Sequence, residues 1–576
     1  MLSINSTSKA IWAQSLTILV LILFLFCVLL ASCKKINPVP SEPFHPSPPP
    51  LEKETSMMKM ENFEINSALK NDYEFGYTEF YIGDEVYLTK SGHELPYKVR
   101  GIIAAPNDKG PFPLVLIAHG NHEEMDESRR FDTGFDYLVK AFAQNGYIAL
   151  SMDMLAPYIQ RYGGNDDYVE KMLPIVDAHM QALTFANSGD DLYSIDLTGK
   201  IDFKNIVLLG HSRSGSAMFQ VAKDQLDKGL GIKAMLSLAP ASDLWIEFSD
   251  IPTSFLIPQY DGDLVQLEGI FMFDYLADRV CGDHSLTLLM GANHNFFNRN
   301  LECDDFNAEG LTDAHPQLSR TEQEEFLIKY AIDFFDASLG VEDRFYHQSE
   351  PQPNKMYGYN INRQLRFDLP TELININNTE SFFSENASIS TVTDSVFFQE
   401  DEVLVNTGVT SILKTVLDGS LDRDNPDLEF IAVNRELIYI EWEQKDVEID
   451  IKPLISNFSD KTAMTIQIIP DSASELNSPD ESISFTICLR DDNGNEASVQ
   501  TADEQWALTC YPGQLRTTQL TEDFTIEYWS PTTPLGMLNI PLSYFDAVDL
   551  TFIESIHLIF DGNNSGAIFI ASWQLQ

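Results

Sequence analysis

Ile206-Val207-Leu208-Leu209-Gly210-His211-Ser212-Arg213-Ser214-Gly215 is an apolar run that breaks into a Gly-x-Ser-x-small turn. Four consecutive large aliphatic residues predict a strand buried on both faces, as in a parallel sheet. The small residues that follow predict a sharp strand-to-helix turn with the Ser212 hydroxyl at its apex, clear of the sheet and close to a helix N-terminus. Such a turn needs small residues two positions either side of the serine, because the helix passes close over its own strand. Gly210 meets that need; on the other side Ser214 stands where a second glycine is customary, with Gly215 one place later. A strand, tight turn and helix in this order are the unit of a doubly wound, mostly parallel α/β sheet.

Three more segments follow the same grammar and occur in the chain order such a site requires. Upstream, Pro113 to Ala118 predicts a buried strand that runs into His119-Gly120-Asn121-His122. The backbone N–H groups of Asn121 and Arg213 are the candidate oxyanion donors, a role worth about 3 kcal/mol per donor in transition-state stabilisation. Downstream, Thr253 to Pro258 predicts a strand followed by Gln259-Tyr260-Asp261-Gly262-Asp263, which places a carboxylate at the strand's C-terminal end. Asp261 is the expected orienting acid, and Asp263, two residues on, is the alternative. Ser285 to Met290 predicts another strand, after which Gly291-Ala292-Asn293-His294-Asn295-Phe296-Phe297 presents an imidazole. His294 would take the Ser212 proton and Asp261 would hold its tautomer. His119, His122 and His211 compete for the base role, but His119 and His211 are built into strand ends, where imidazoles usually pack or bond structurally.

The segments Gly210 to Gly215, His119 to His122, Asp261 to Val265 and Gly291 to Phe297 together resemble the secreted branch of the α/β-hydrolase family. That branch includes esterases, lipases, cutinase-like enzymes and platelet-activating-factor acetylhydrolase-like proteins. The resemblance spans roughly residues 75 to 340 and departs from the family pattern at Ser214. It implies a serine esterase or lipase-like activity on a carboxylic ester, lipid or polymer-borne. A serine peptidase of the same fold and a non-catalytic surface binding lipoprotein are the rival expectations.

The rest of this region alternates apolar strands with amphipathic helices. Helices are expected over Phe135 to Asn145, Tyr168 to Asn187 and Glu322 to Leu339, with strands over Tyr147 to Asp153 and Ile232 to Ala239. In the helix from Tyr168, the residues Met172, Ile175, Val176, His179, Met180 and Leu183 share one apolar stripe, the pattern of a core face.

At the N-terminus, Ile18 to Leu30 is uninterrupted apolar sequence that ends in Ala31-Ser32-Cys33. This looks like a bacterial lipobox, with cleavage before Cys33 and lipid on that cysteine, so the expected location is the cell envelope, anchored by lipid and outside the cytoplasm. A proline-rich stretch with Pro48-Pro49-Pro50 reads as an extended tether. Apart from Cys27 and Cys33, the four remaining cysteines fall into two sequence-local couples, and disulfides Cys281–Cys303 and Cys488–Cys510 are expected in an oxidising compartment.

Beyond about Arg344 the pattern changes to short strands with turn signals, among them Ile438 to Trp442, Met464 to Ile469 and Ser484 to Leu489, with Asn493-Gly494 as a hairpin. An all-β sandwich of jelly-roll or carbohydrate-binding type is expected there, either holding a glycan near the catalytic domain or covering and stabilising that domain, with Trp442, Trp506 and Trp529 as stacking or core residues. The organisation predicted is 1–33 signal peptide and lipobox, 34–60 proline-rich linker, 61–343 α/β catalytic domain and 344–576 β-sandwich. The 576 residues carry 87 acidic and 37 basic side chains, a net charge of −50, which repels phosphate-bearing partners and argues against nucleic acid. No phosphate loop, dinucleotide fingerprint or zinc-ligand spacing occurs, so neither cofactor nor metal is expected. The run Asp491-Asp492-Asn493-Gly494-Asn495 reads as hairpin turn chemistry rather than a calcium loop.

Overall fold

A computed structural model describes residues 55–576, except 68, 122–127, 160, 164–166, 242–246, 265–266, 278–279, 309–316, 343, 348, 368–369, 400–401, 407–415, 418–430, 472–473, 479–480, 504, 510–513, 518–525 and 531–534. The lipobox with Cys33, most of the proline-rich stretch, His122 and Cys510 lie outside the described residues.

The N-terminal lobe is built on an 11-stranded sheet. Its strands are β1 (Phe63–Ile65), β2 (Phe75–Leu88), β3 (Glu94–Pro106), β4 (Phe112–Ala118), β5 (Ile148–Met152), β6 (Ile201–His211), β7 (Ile232–Leu238), β8 (Thr253–Tyr260), β9 (His284–Asn293), β10 (Pro353–Met356) and β11 (Tyr359–Arg366). They lie in the order β1-β10-β11-β9-β8-β7-β6-β4-β5-β3-β2. The six strands from β5 to β9 are parallel, and antiparallel strands close the sheet on both sides. The chain enters at β4, crosses to β5, then returns past β4 to β6 and continues outward. Strand order therefore reverses between β4 and β6, and the crevice beyond the C-terminal ends at such a reversal is where α/β sheets place ligands.

Alternate side chains along the parallel strands feed two separate cores. Leu114, Leu116, Ile206 and Leu208 pack on one face beneath helices α2 (Tyr168–Asn187), α3 (Arg213–Asp227) and α4 (Gly269–Ala277). Val115, Ile117, Val207 and Leu209 pack on the other beneath α1 (Asp136–Gln144) and α6 (Arg320–Ser338). A continuous aliphatic run is what this two-sided burial demands. Helix α2 keeps the expected bounds and its stripe is core, with His179 fully buried and burial holding its ring down at about 4. Helix α6 starts at a capping box in which Ser319 and Glu322 satisfy each other's backbone N–H groups. A four-residue helix, α5 (Asp305–Ala308), precedes it.

The other lobe is all β. One sheet runs Thr55–Lys59, Glu496–Gln500, Thr486–Asp491, Ile553–Phe560, Val447–Ile451 and Phe382–Phe383. A second contains Ala387–Gln399, Ile431–Trp442, Gly566–Leu575, Ala463–Pro470 and Gly536–Pro541. Both sheets contribute to one apolar core that includes Ile440, Ile449, Ile466, Ile487, Leu538 and Ile568. Trp442 belongs to that core, stacked 3.8 Å from Phe560, rather than to a ligand face. The Asp491 carboxylate accepts N–H bonds from Asn493, Asn495 and Asp549, so the acidic run forms the hairpin turn.

Two boundaries differ from those expected. Thr55–Lys59, counted with the linker, pairs in parallel with Glu496–Gln500. Strands β10 and β11, counted with the sandwich, extend the α/β sheet instead, with Met356, Ile361 and Leu365 in the core beneath α6. An antiparallel edge strand and a sandwich strand have the same two-residue period, so alternation alone does not assign a strand to a sheet.

The expected Cys281–Cys303 disulfide is absent; both thiols are free and exposed. The two cysteines flank β9, one just before its first residue and the other past its last. Asn295, two residues past β9, donates to Cys303 Sγ (3.3 Å), so the ten-residue strand, roughly 30 Å long, lies between the two thiols, against the ~4.4–6.8 Å between Cα atoms that a disulfide spans. Cys488 is a free buried thiol, and its expected partner Cys510 is outside the described residues.

Candidate active site

At the β6–α3 junction Ser212 has φ +58° and ψ −131°. A side chain held in that region costs about 1–3 kcal/mol and persists only where the surroundings over-determine it. Here they do. The Ser212 N–H donates to the Leu238 carbonyl at the end of β7 (3.0 Å), and its own carbonyl accepts from Gly215 (2.7 Å). A Cβ at Gly210 would lie 2.1 Å from the Ser214 carbonyl oxygen, so the helix can cross its strand only over a bare backbone. At 214 there is room for a side chain: the Ser214 hydroxyl donates to the His119 carbonyl and meets the Tyr158 hydroxyl at 2.9 Å. Ser214, which stands where a second glycine is customary in such a turn, thus ties the turn to the neighbouring strand end.

The turn after β4 presses on the same serine. A Cβ at Gly120 would lie 2.4 Å from the Ser212 Cβ and 2.9 Å from its Oγ. This close approach puts the backbone leading to Asn121 beside the hydroxyl, while Arg213 opens helix α3, where backbone N–H groups have no helical partner. His119 braces the turn: Nε2 accepts from the Met154 N–H (2.9 Å), and Nδ1 donates to the Gly120 carbonyl (2.9 Å). Both ring nitrogens are engaged with backbone, which leaves this histidine a structural part.

The imidazole and the acid come from the next two strand ends. His294 follows β9 and is fully buried, with Nδ1 2.9 Å from Asp261 Oδ2 beyond β8. The other Asp261 oxygen accepts N–H bonds from Asp263 (3.1 Å) and Leu264 (2.6 Å), which sets the carboxylate from within its own loop. Asp263, the alternative acid, approaches the opposite edge of the ring, 3.4 Å from Nε2, with a half-exposed side chain. The ring thus lies between two carboxylates, of which only Asp261 is buried. Burial alone would make His294 harder to protonate, but Asp261, then Asp263 and Asp305, outweigh it and push the pKa up to about 10. His211 packs against His294 with the rings tilted and their centroids 4.6 Å apart; burial and then the charge on His294 hold His211 well below the ordinary histidine range, so it stays neutral.

Asp305 is a member of this site that the sequence pattern does not reveal. From the start of α5, its carboxylate accepts N–H bonds from Gly262 (2.7 Å), His294 (3.2 Å) and Asn295 (2.9 Å), and so clamps the loop that carries Asp261 to the loop that carries His294. Burial, then the nearby Asp261 charge, push its pKa up to about 6. Its only sequence signal is an aspartate opening a short helix after Cys303-Asp304, which carries no hint of a partner forty residues upstream. Among the described residues no group of three or more histidine, cysteine or acidic side chains is arranged to hold a metal ion.

No protein-family model matches the chain, and no curated protein matches it. Among solved structures, an esterase of Pyrobaculum calidifontis in a monoclinic form aligns with 43% of this chain and 85% of its own, at 15% sequence identity and a TM-score of 0.28.

Proposed function

We propose that the chain is a serine hydrolase of carboxylic esters, with Ser212 as nucleophile, His294 as base, Asp261 as orienting acid and the Asn121 and Arg213 N–H groups as oxyanion donors. The observation that carries the proposal is the buried Asp261–His294 pair at the C-terminal strand ends, with the His294 ring 4.6 Å from that of His211, the residue before a serine held at φ +58°. In this scheme Ser212 Oγ bonds to the ester carbonyl carbon as its proton passes to His294 Nε2. The tetrahedral oxyanion lies against the two N–H groups, the C–O bond to the alcohol breaks, and the alcohol leaves with the histidine's proton. Water then attacks the acyl-enzyme, gives its proton to His294, and Ser212 is released with the free acid. Three carboxylates around the imidazolium make His294 a strong base, and the same field keeps it protonated until the pH rises above neutral.

Asp261 is preferred over Asp263 because it is buried, bonds Nδ1 and is braced by its own loop. The sequence features support a cell-envelope lipoprotein anchored at Cys33, with a jelly-roll-like second lobe that binds glycan beside the hydrolase.

The test is hydrolysis of short- and medium-chain nitrophenyl esters, together with labelling by a fluorophosphonate and mass mapping of the adduct. Turnover that disappears in Ser212→Ala, with the adduct on Ser212 in the unaltered chain, is the expected outcome. Esterolysis that survives the alanine replacement, or an adduct elsewhere, refutes the triad; a folded chain that cleaves amides but no ester moves the activity to a peptidase.

A further inference from the structure

A pocket of about 420 Å3 opens where the edge of the 11-stranded sheet meets the sandwich. It is lined by Asn62, Glu64, Asn354, Lys355, Asn360 and Trp506, among others, and shares no residue with the candidate active site. We propose that this pocket binds a neutral saccharide, with the sugar ring against the Trp506 indole and its hydroxyls on the surrounding amides and charged groups.

The register of the edge strands builds the polar floor. Glu64 on β1 stands opposite Lys355 on β10, and Lys355 stands opposite Asn360 on β11, so the three exposed side chains form one row across three strands. A carboxylate and an ammonium side by side cancel, and a site of no net charge favours a ligand of none. Together they still offer acceptors and donors in the mixture that a set of hydroxyl groups can satisfy.

Asn354 enters by a local irregularity. Between the Pro353–Phe63 and Lys355–Glu64 pairs the register shifts, leaving Asn354 as the extra residue of a bulge, the device by which strands re-aim a side chain next to a site. Its amide donates to Asn62 Oδ1 at 2.9 Å, and the Gln505 amide donates to the same oxygen at 3.2 Å. With its oxygen engaged twice, Asn62 has its NH2 group to offer and is fixed in orientation. Gln505 immediately precedes Trp506, so the same bond holds the short turn Trp506–Leu508 that carries the indole. Trp506 is only half-buried, unlike the core residue Trp442. An indole face meets the C–H face of a pyranose, while amides serve its rim, and a few placed polar groups in a cavity of this size are the usual make-up of a small-ligand site.

The full chain, Trp506→Ala and Asn360→Ala are run through native gels containing neutral polysaccharides (arabinoxylan, galactomannan, mixed-linkage β-glucan and starch). Oligosaccharides from the retarding polymer are then titrated by calorimetry. Asn360 is an exposed residue near the start of β11, so its variant keeps the test decisive should the tryptophan variant fail to fold. Retardation by one polymer, with affinity lowered roughly tenfold or more in both variants, is the result expected for the loss of a ring stack or a placed amide. Hydrolysis of a small nitrophenyl ester stays unchanged in both, since neither residue belongs to the catalytic machinery. Free migration of the folded chain in every gel, or retardation retained by both variants, overturns the proposal, as does binding of a zwitterionic amino acid in place of any sugar.

Discussion

Replacing Asp305 by Asn keeps the shape of the side chain and removes its charge, which tests whether this carboxylate joins the loops that carry Asp261 and His294. One Asp305 oxygen accepts from Gly262 and His294, and the other from Asn295. An asparagine can serve only one of those sides; on the other its NH2 group faces an N–H donor. A buried donor left without an acceptor costs about 1–3 kcal/mol, so the variant should melt at lower temperature by a corresponding amount. The lost charge has a separate effect on His294. Asp305 is one of the three carboxylates that raise the ring's pKa, so without it the imidazolium is less favoured and the neutral base persists to lower pH. The assay is the pH profile of kcat/KM on a nitrophenyl ester, together with a thermal melt. The unaltered chain should show activity rising above neutral pH, and Asp305→Asn should carry that rising limb toward acid while kcat falls by roughly tenfold per 1.4 kcal/mol of lost positioning. Glu302→Gln, the loss of an exposed carboxylate nearby in sequence, is the control and should leave both readouts in place. A melt and a pH limb in Asp305→Asn that coincide with those of the unaltered chain would refute the clamp.

Ser212→Gly should abolish turnover yet raise the melting temperature, because glycine removes the cost of about 1–3 kcal/mol held at φ +58°; a lowered melt would show that the elbow is not strained. Gly120→Ala should cut kcat by roughly a hundredfold or more, since the new methyl would lie inside contact distance of the Ser212 Cβ and displace either the nucleophile or the turn that carries an oxyanion donor. Unchanged kinetics in that variant would separate the β4 turn from the site. Both Cys281 and Cys303 should react with a maleimide without prior reduction, and a reductant should leave the melt unaltered; protection of both thiols until reduction would restore the disulfide.

Much of the α/β lobe is readable along the chain because each parallel strand, buried on both sides, must be continuously apolar, and each helix must show one apolar stripe. The bounds of α2 and the strand run through Ile206 to His211 follow from that requirement. The strand ends that carry Ser212, Asp261 and His294 are readable too, since each of these residues sits immediately after such a strand. The choice between Asp261 and Asp263 is not, because the two are separated by one glycine and only the loop's own N–H bonds decide which carboxylate turns inward. Cysteine spacing misled for a geometric reason: nearness in sequence says little about distance when ten of the intervening residues form an extended strand.

Local pattern therefore settles what each segment is, since helix, strand and strand-end turn are properties of a dozen consecutive residues and the burial they demand. Everything that depends on which segments become neighbours was decided by the folded chain. Strands β10 and β11 join the α/β sheet because its edge and the core beneath α6 need covering. Asp305 reaches Gly262 and His294, and Trp506 faces β1, β10 and β11, through contacts between residues far apart in sequence. Such contacts reward the chain only after the loops between them have closed, and for that reason they leave no mark on the spacing of neighbouring residues.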